Sequence, residues 1–210
     1  MRTIRHWNVR YFFNRINEAL YRFRHPKAPW LTAAAVDMLF SLLRRSDRGI
    51  EFGSGRSTLW FSYRVQYLTS VEHNCEWYAK VKNMLEQERR DNVDYHFRPV
   101  NSDLNGTAAE YAGVFDAFGD GTLDFVLVDG VCRDHCARRA LPKLKKGGML
   151  IIDNVNLYLP SSSYAPNART FDQGPQGAVW GEVWTEISQW RSIWTSNGVY
   201  DTAVYFKPVE

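Results

Sequence analysis

The stretch Ile50-Glu51-Phe52-Gly53-Ser54-Gly55-Arg56-Ser57-Thr58 decides the fold of this chain. It begins as the apolar end of a strand. Two glycines follow, Gly53 and Gly55, and they permit backbone angles and close approaches that a Cβ would block. A helix then begins near Ser57 and Thr58, and its first N–H groups can face a ligand. The order strand, glycine turn, helix therefore predicts a site for a nucleotide-like ligand.

A second apolar run, residues 65–71, ends in Val71-Glu72-His73. A carboxylate at this point of a nucleotide-binding α/β unit can accept hydrogen bonds from both hydroxyls of a ribose. A dinucleotide fingerprint would need a third glycine three residues after Gly55, where this chain has Thr58. We therefore expect a ligand that carries a ribose. A dinucleotide and a turn that holds no ligand are the alternatives.

Length and composition favour a single soluble domain. The chain has 210 residues, of which 45% are hydrophobic, enough for one full core. No segment reaches the 18 or so uninterrupted apolar residues of a membrane span, and arginines occupy the N-terminus where a secretory signal would be apolar. Three cysteines are too few for a disulfide framework. We expect a cytoplasmic protein, and no zinc site at Cys132, His135 and Cys136, because a fourth ligand is missing.

The basic charge is concentrated at the front of the chain. Residues 1–30 carry seven arginines and lysines against Glu18 alone, a net charge of +6, so the remainder of this +3 chain carries −3. Apolar residues recur there at helical spacing and stop before His25-Pro26. The segment is expected to cap the domain, to bind a membrane surface or protein partner, or, least of all, to bind nucleic acid. The spaced residues are Trp7, Tyr11, Phe12, Phe13, Ile16, Leu20, Tyr21 and Phe23.

From residue 48 onward, strand-like and helix-like patterns alternate, which predicts a parallel sheet with helices on both faces. Gly147-Gly148 is expected to end a helix before the apolar run 149–152. Near the C-terminus, Asn197-Gly198 predicts a two-residue hairpin. Strands are expected at 48–52, 67–72, 93–98, 123–128, 148–153, 192–195 and 199–206, and helices at 31–44, 56–65, 74–90, 107–117, 134–145 and 180–189.

These elements, in this order and with this hairpin, resemble the class I methyltransferases that use S-adenosylmethionine, over roughly residues 31–207. The resemblance implies an α/β, Rossmann-like fold with a mostly parallel sheet and a C-terminal antiparallel hairpin. It divides the chain into a cap, residues 1–30, and a catalytic domain, residues 31–210. The cofactor-binding residues that it implies are Glu51, Gly53, Ser54, Gly55, Ser57, Thr58, Glu72, His73 and Asp129.

Within that superfamily, the chain is most similar to small-molecule O-methyltransferases of the catechol O-methyltransferase kind. Those enzymes hold Mg²⁺ at positions that correspond here to Asp129, Asp153 and Asn154, and oxygen ligands suit Mg²⁺. Cofactor contact or loop capping without a metal is the alternative. The lysine that serves as base in that family is replaced by Cys132. Asp129, Asp153, His135 and Tyr158 are the candidate bases, and His135 also fits an ordinary surface residue.

A long irregular loop, residues 155–179, follows the strand that ends at Asp153. Loops of this length are often lids, although a flexible surface insertion is the alternative. Aromatic residues in or beside it could line an acceptor pocket: Tyr158, Tyr164, Phe171 and Trp180. The implied activity is methylation of a small-molecule or sugar hydroxyl, with nitrogen acceptors left open. The rivals are an NAD-type oxidoreductase and a noncatalytic nucleotide-binding module attached to a membrane or a larger assembly.

Overall fold

The fold is built on one seven-stranded sheet. The structure is a computed structural model that describes residues 9–100 and 104–210. Its strands are β1 (Arg48–Phe52), β2 (Tyr67–Glu72), β3 (Val93–Phe97), β4 (Leu123–Val128), β5 (Leu144–Asp153), β6 (Arg191–Ser196) and β7 (Asp201–Phe206). The helices are α1 (Val9–Arg24), α2 (Ala33–Leu42), α3 (Arg56–Ser62), α4 (Cys75–Gln87), α5 (Leu104–Ala112), α6 (Arg133–Lys143) and α7 (Gly177–Ile187), with 3-10 turns at Gly113–Ala117, Val155–Leu157 and Phe171–Gln173.

The strand order is β3-β2-β1-β4-β5-β7-β6. The first five strands are parallel, and β7 runs antiparallel to both β5 and β6. The predicted mostly parallel sheet with a C-terminal antiparallel hairpin is therefore confirmed. Because the chain reverses its winding between β1 and β4, a crevice opens at the carboxyl ends of these two strands, where open α/β folds bind ligands.

Both faces of the sheet are buried at its central strands. Alternate residues of β4 point in opposite directions, so Val126 and Val128 pack in a cluster with α6 and α7, while Phe125 and Leu127 pack in another with α2 and α3. This double burial explains the continuous apolar runs at residues 125–128 of β4 and 149–152 of β5. The same packing also fixes the positions of the residues that follow the carboxyl ends of these two strands.

The prediction that Gly147-Gly148 ends a helix is wrong. Helix α6 ends at Lys143, and β5 already begins at Leu144. The pairing of β4 with β5 shifts between Leu123 and Phe125, so extra β5 residues must bulge out of the ladder. Gly147 permits this bulge with a φ of +77°.

The predicted hairpin is present, but its connection is longer than two residues. Ser196 pairs with Asp201, so residues 197–200 form the turn. The side chain of Asn197 accepts hydrogen bonds from the N–H groups of Val199 (2.9 Å) and Tyr200 (3.0 Å), which stabilises this wider turn. Asparagine followed by glycine thus marked the turn correctly but not its length.

Helix α1 packs on this hairpin through a polar contact. The buried carboxylate of Glu18 accepts hydrogen bonds from the Tyr200 hydroxyl (2.6 Å) and the Asn197 amide (2.8 Å), and it pairs with Arg22. Trp7 and the rest of residues 1–8 lie outside the described residues. Among the described helices, none is long and apolar enough to cross a bilayer.

Candidate active site

The turns after β1 and β4 pack directly against each other. Gly53 has a φ of +92°, and a Cβ on it would lie 2.7 Å from the backbone of Asp129 and of Gly130. The Asp129 N–H donates to the Phe52 carbonyl (2.9 Å). Gly53 is thus required because the turns after β1 and β4 approach each other closely at this point. Any larger residue at position 53 would displace the turn after β4, whether or not a ligand is bound.

Glu51 lies fully buried beneath this turn. Its Oε2 accepts hydrogen bonds from the Thr58 hydroxyl (2.7 Å) and the Ser70 hydroxyl (2.9 Å). Its Oε1 has no hydrogen-bond partner among the described residues. Burial raises the pKa of Glu51 to about 7, against the lowering effect of Ser57 and other hydroxyls, and the Asp129 carboxylate raises it further. The site therefore holds a carboxyl group with one acceptor position unused.

Glu72 ends β2 with its carboxylate fully engaged. Oε2 accepts from the N–H and the hydroxyl of Ser54 (3.0 and 2.9 Å). Oε1 accepts from the N–H groups of His73 and Asn74 (2.9 and 2.8 Å). A ribose could bond to Glu72 only if one of these donors gave way. The Ser54 hydroxyl can do so at the least cost, because it has a second partner in the Tyr95 hydroxyl, 2.6 Å away. The ribose contact stays a prediction.

The remaining predicted cofactor residues surround the same turn. The Gly55 N–H donates to the Thr58 hydroxyl (2.9 Å). Ser57 is buried on the first turn of α3. His73 places Nδ1 3.1 Å from Glu72 Oε1. The turn is further fixed by Trp77, whose indole N–H donates to the Ser54 carbonyl (2.6 Å) and which sequence analysis missed because it belongs to no recognised motif.

Arg133 joins the carboxyl ends of β4 and β5, a role that sequence analysis also missed. Its guanidinium donates to the Asp129 carboxylate (2.9 Å) and to the Asp129 carbonyl (2.7 Å). It also donates to the carbonyls of Gly130 and Asp153. One partly buried cation therefore lies between the two predicted acidic residues.

Asp129 and Asp153 have raised pKa values. Burial raises the pKa of Asp129 to about 6, although Arg133 opposes this effect, and Glu72 raises it further. Burial and then Asp129 hold the pKa of Asp153 well above its ordinary range, while the Thr202 hydroxyl donates to its Oδ1 (2.6 Å). Asp153 is 3% exposed, whereas the Asp129 side chain is 24% exposed. Asp129 is therefore the better placed of the two to exchange a proton with a bound molecule.

The predicted Mg²⁺ ligands do not fit a metal site as they are arranged here. The Arg133 cation already binds the Asp129 carboxylate, and the Asp153 carboxyl group accepts from Thr202. Across residues 9–100 and 104–210, no group of three or more His, Cys, Asp or Glu side chains could hold a metal ion. Asn154 is in the left-handed region, with a φ of +51°. The prediction of magnesium thus gains no support.

Among the described residues, no hydrogen bond or ion pair joins the other base candidates to this carboxyl pair, although the Tyr158 ring centroid lies 5.7 Å from the guanidinium carbon of Arg133. His135 is half-buried on the first turn of α6, where its N–H donates to the Asp134 carboxylate (2.9 Å). The Tyr158 ring stacks on the buried Trp180, with centroids 5.2 Å apart. His135 and Tyr158 therefore remain candidates by position only.

The loop after β5 covers a cavity of about 710 Å³. Two of its predicted aromatics, Tyr164 and Phe171, line this cavity, whereas Tyr158 and Trp180 pack in the core. Among the described residues of the lining, Arg10 is the one lysine, arginine, aspartate or glutamate, and apart from Pro160 and Gly198 the others carry aromatic rings, hydroxyls or amides. Its further lining residues include Tyr11, Asn14, Trp184, Trp194, Tyr205 and serines 161–163, 188, 192 and 196.

The sequence profile of the methyltransferase domain family matches residues 50–155, and the chain belongs to this family. That range covers β1 to β5 and the carboxyl edge described above. The protein is therefore a methyltransferase by family and by fold. No curated protein matches the sequence.

Solved class I methyltransferase structures share the fold. A methyltransferase-like protein from Silicibacter pomeroyi has a TM-score of 0.59 and 20% identity, over 87% of this chain and 90% of its own. A Staphylococcus aureus protein provisionally assigned as a caffeoyl-CoA O-methyltransferase has a TM-score of 0.57 and 16% identity, over 97% and 95%. A Geobacter sulfurreducens methyltransferase has a TM-score of 0.57 and 12% identity, over 94% and 89%.

Proposed function

We propose that this methyltransferase uses S-adenosylmethionine to methylate an oxygen atom of a small molecule. The observation that carries the proposal is a row of three carboxyl groups at the carboxyl ends of neighbouring strands. Glu72 ends β2, Glu51 lies next to the end of β1, and Asp129 follows β4. They are close enough that Asp129 raises the pKa of Glu51, and Glu72 raises that of Asp129.

A cationic ligand complements this row. S-adenosylmethionine supplies an activated methyl group on a sulfonium cation, and it also carries an ammonium group and ribose hydroxyls. Oε1 of Glu51, buried without a partner among the described residues, is available to accept from an ammonium group directly or through one water. An added positive charge would also lower the raised pKa values of Glu51 and Asp129.

The same charges argue against the NAD-type oxidoreductase. A dinucleotide would bring its negatively charged diphosphate to the turn after β1. Here the turn covers the buried Glu51 and packs against the Asp129 backbone, and Arg133 is already bound by four acceptors. The electrostatics of the crevice therefore favour a sulfonium over a diphosphate.

The side chains that line the cavity under the loop after β5 support a neutral acceptor. Aromatic rings such as Tyr164 and Phe171 can stack on a phenol or a sugar ring, and the serine hydroxyls can bond to its oxygens. Asp129 is not among the described residues that line this cavity. The acceptor would therefore have to extend from the cavity to the carboxyl end of β4, where its hydroxyl would lose its proton to Asp129 as its oxygen takes the methyl group from the sulfonium. Burial raises the pKa of Asp129 above its ordinary range, which makes its carboxylate a stronger base than that of an exposed aspartate.

Isothermal titration calorimetry tests the cofactor assignment. We expect S-adenosylhomocysteine to bind to the protein and NAD not to bind. Glu51→Gln should weaken the binding of S-adenosylhomocysteine about tenfold, because one charge-assisted hydrogen bond is lost. The matched control Glu182→Gln, an exposed carboxylate on α7, should leave it unchanged. Binding of NAD in place of S-adenosylhomocysteine would contradict the cofactor assignment and favour the NAD-type oxidoreductase.

The acceptor is tested separately by transfer of a tritiated methyl group to panels of phenols, sugars and amines. We expect label in the phenol or sugar panel, and we expect EDTA to leave the rate unchanged because Arg133 already binds the Asp129 carboxylate and the Asp153 carbonyl. Label confined to the amine panel would contradict the oxygen assignment. If EDTA abolished the activity and Mg²⁺ recovered it, the prediction of a magnesium site would be supported.

A further inference from the structure

Helix α1 turns its apolar face away from the protein. Its apolar residues recur with the spacing i, i+3, i+4 and i+7, so they form one continuous stripe along the helix. Each of them is between 40% and 84% exposed. This apolar stripe consists of Val9, Phe12, Phe13, Ile16, Leu20 and Phe23.

The opposite face of α1 holds the helix on the domain. Glu18 is buried against the hairpin and accepts hydrogen bonds from Tyr200 and Asn197. Asn14 packs so closely on Gly198 that a Cβ there would collide with it. The orientation is therefore fixed by specific polar contacts, and the stripe is left exposed as their consequence.

Charge indicates what covers the stripe. Residues 1–30 carry a net +6, and Arg10, Arg15 and Arg24 are exposed on α1 beside the apolar residues. A second copy of this chain would bring two such +6 segments together, which like-charge repulsion disfavours. An anionic lipid surface complements both features, because it takes up the phenylalanines and attracts the arginines.

We propose that the apolar stripe of α1 docks the enzyme on anionic membranes. The helix lies in the plane of the interface, with its phenylalanines among the acyl chains and its arginines at the headgroups. The polar face that carries Glu18 keeps the catalytic domain attached on the aqueous side. The chain thus binds to the membrane surface without crossing the bilayer.

Vesicle co-sedimentation with the full-length protein tests this proposal. We expect it to pellet with phosphatidylcholine vesicles that contain phosphatidylglycerol, and much less with phosphatidylcholine alone. Phe12→Ser/Phe13→Ser/Phe23→Ser should reduce partitioning about 100-fold or more, because three large apolar side chains no longer enter the bilayer. Arg15→Gln/Arg24→Gln should reduce it about 30-fold on anionic vesicles only, since each basic group contributes roughly fivefold.

Phe40→Ser is the matched control, because Phe40 is also exposed (65%) but lies on α2, outside the stripe. It should pellet like the wild type. Circular dichroism of every variant checks that the fold is retained. Wild-type protein that stays in the supernatant, or that binds both vesicle types equally, overturns the proposal. The proposal is also overturned if sedimentation velocity shows that the wild type is a dimer and the triple phenylalanine variant is a monomer. The apolar stripe would then bind a second copy of the chain.

Discussion

Replacing Glu51 by glutamine should stabilise the protein at alkaline pH while weakening its site. The pKa of Glu51 is about 7 in the folded chain, against an ordinary value of 4.5. A raised pKa means that the folded state holds a proton that the unfolded state releases. The stability linked to this group is therefore complete below pH 4.5, declines as the pH rises to about 7, and is absent above that. The difference between the two pKa values corresponds to about 3 kcal/mol.

Glutamine cannot ionise, so it escapes this decline. Its amide oxygen can accept from Thr58 and Ser70 as Oε2 does, and its N–H can donate to the nearby Ser57 hydroxyl. We expect Glu51→Gln to raise the free energy of unfolding by up to about 3 kcal/mol at pH 8 and by little at pH 4.5.

Urea unfolding at the two pH values measures this difference from midpoints at constant slope. Glu182→Gln, on the surface, should show no such dependence on pH. A Glu51→Gln variant that is no more stable than the wild type at pH 8 would refute the reasoning, because the buried carboxyl would then not be destabilising when ionised.

Three further predictions follow from the same contacts. The affinity for S-adenosylhomocysteine should rise about tenfold from pH 6 to pH 8 by calorimetry, because the ionised fraction of Glu51 rises through its pKa of about 7; a flat profile would remove Glu51 from the site. Arg133→Lys should lower the free energy of unfolding by about 2 to 4 kcal/mol in urea, since a lysine cannot bridge the ends of β4 and β5 as the guanidinium does; an unchanged midpoint would show that the bridge contributes nothing. Gly198→Ala should destabilise the protein by about 1 to 3 kcal/mol, because φ is +76° and the new Cβ meets Asn14; Asn14→Ala should recover part of the loss, and if it recovers none, α1 does not rest on the hairpin.

The sequence predicted the strands of the sheet well where a pattern is compatible with only one type of secondary structure. The alternation of apolar strands with helices placed β1, β2 and β4 at their observed bounds. It failed at Gly147-Gly148, because a glycine pair is compatible with both a helix end and a bulge. Only the pairing with β4 decides between them, and that pairing joins residues far apart in the chain.

The amphipathic character of α1 was predictable, but its orientation was not. Periodicity shows that a helix has an apolar face and does not show which face the domain binds. Here the orientation depends on the buried Glu18. Its carboxylate accepts a hydrogen bond from the hydroxyl of Tyr200, which lies in the turn between β6 and β7. The sequence offered no sign that a glutamate would be the residue to enter the protein.

The acidic residues of the candidate site were predictable because each lies at or next to the carboxyl end of a strand. Their partners were not. Arg133 binds mostly main-chain carbonyls, and Trp77 binds the Ser54 carbonyl, so neither contact leaves a side-chain pattern in the sequence. The full engagement of Glu72 by Ser54, His73 and Asn74 likewise depends on the path of two turns.

A crystal structure of the protein with S-adenosylhomocysteine would show whether the carboxyl groups of Glu51, Glu72 and Asp129 surround the cofactor. The account predicts the adenosyl group in the crevice between the ends of β1 and β4, with the ribose hydroxyls at Glu72 and the ammonium group linked to Glu51 directly or through one water. A ligand bound elsewhere, or an ammonium group remote from all three carboxyl groups, would contradict it.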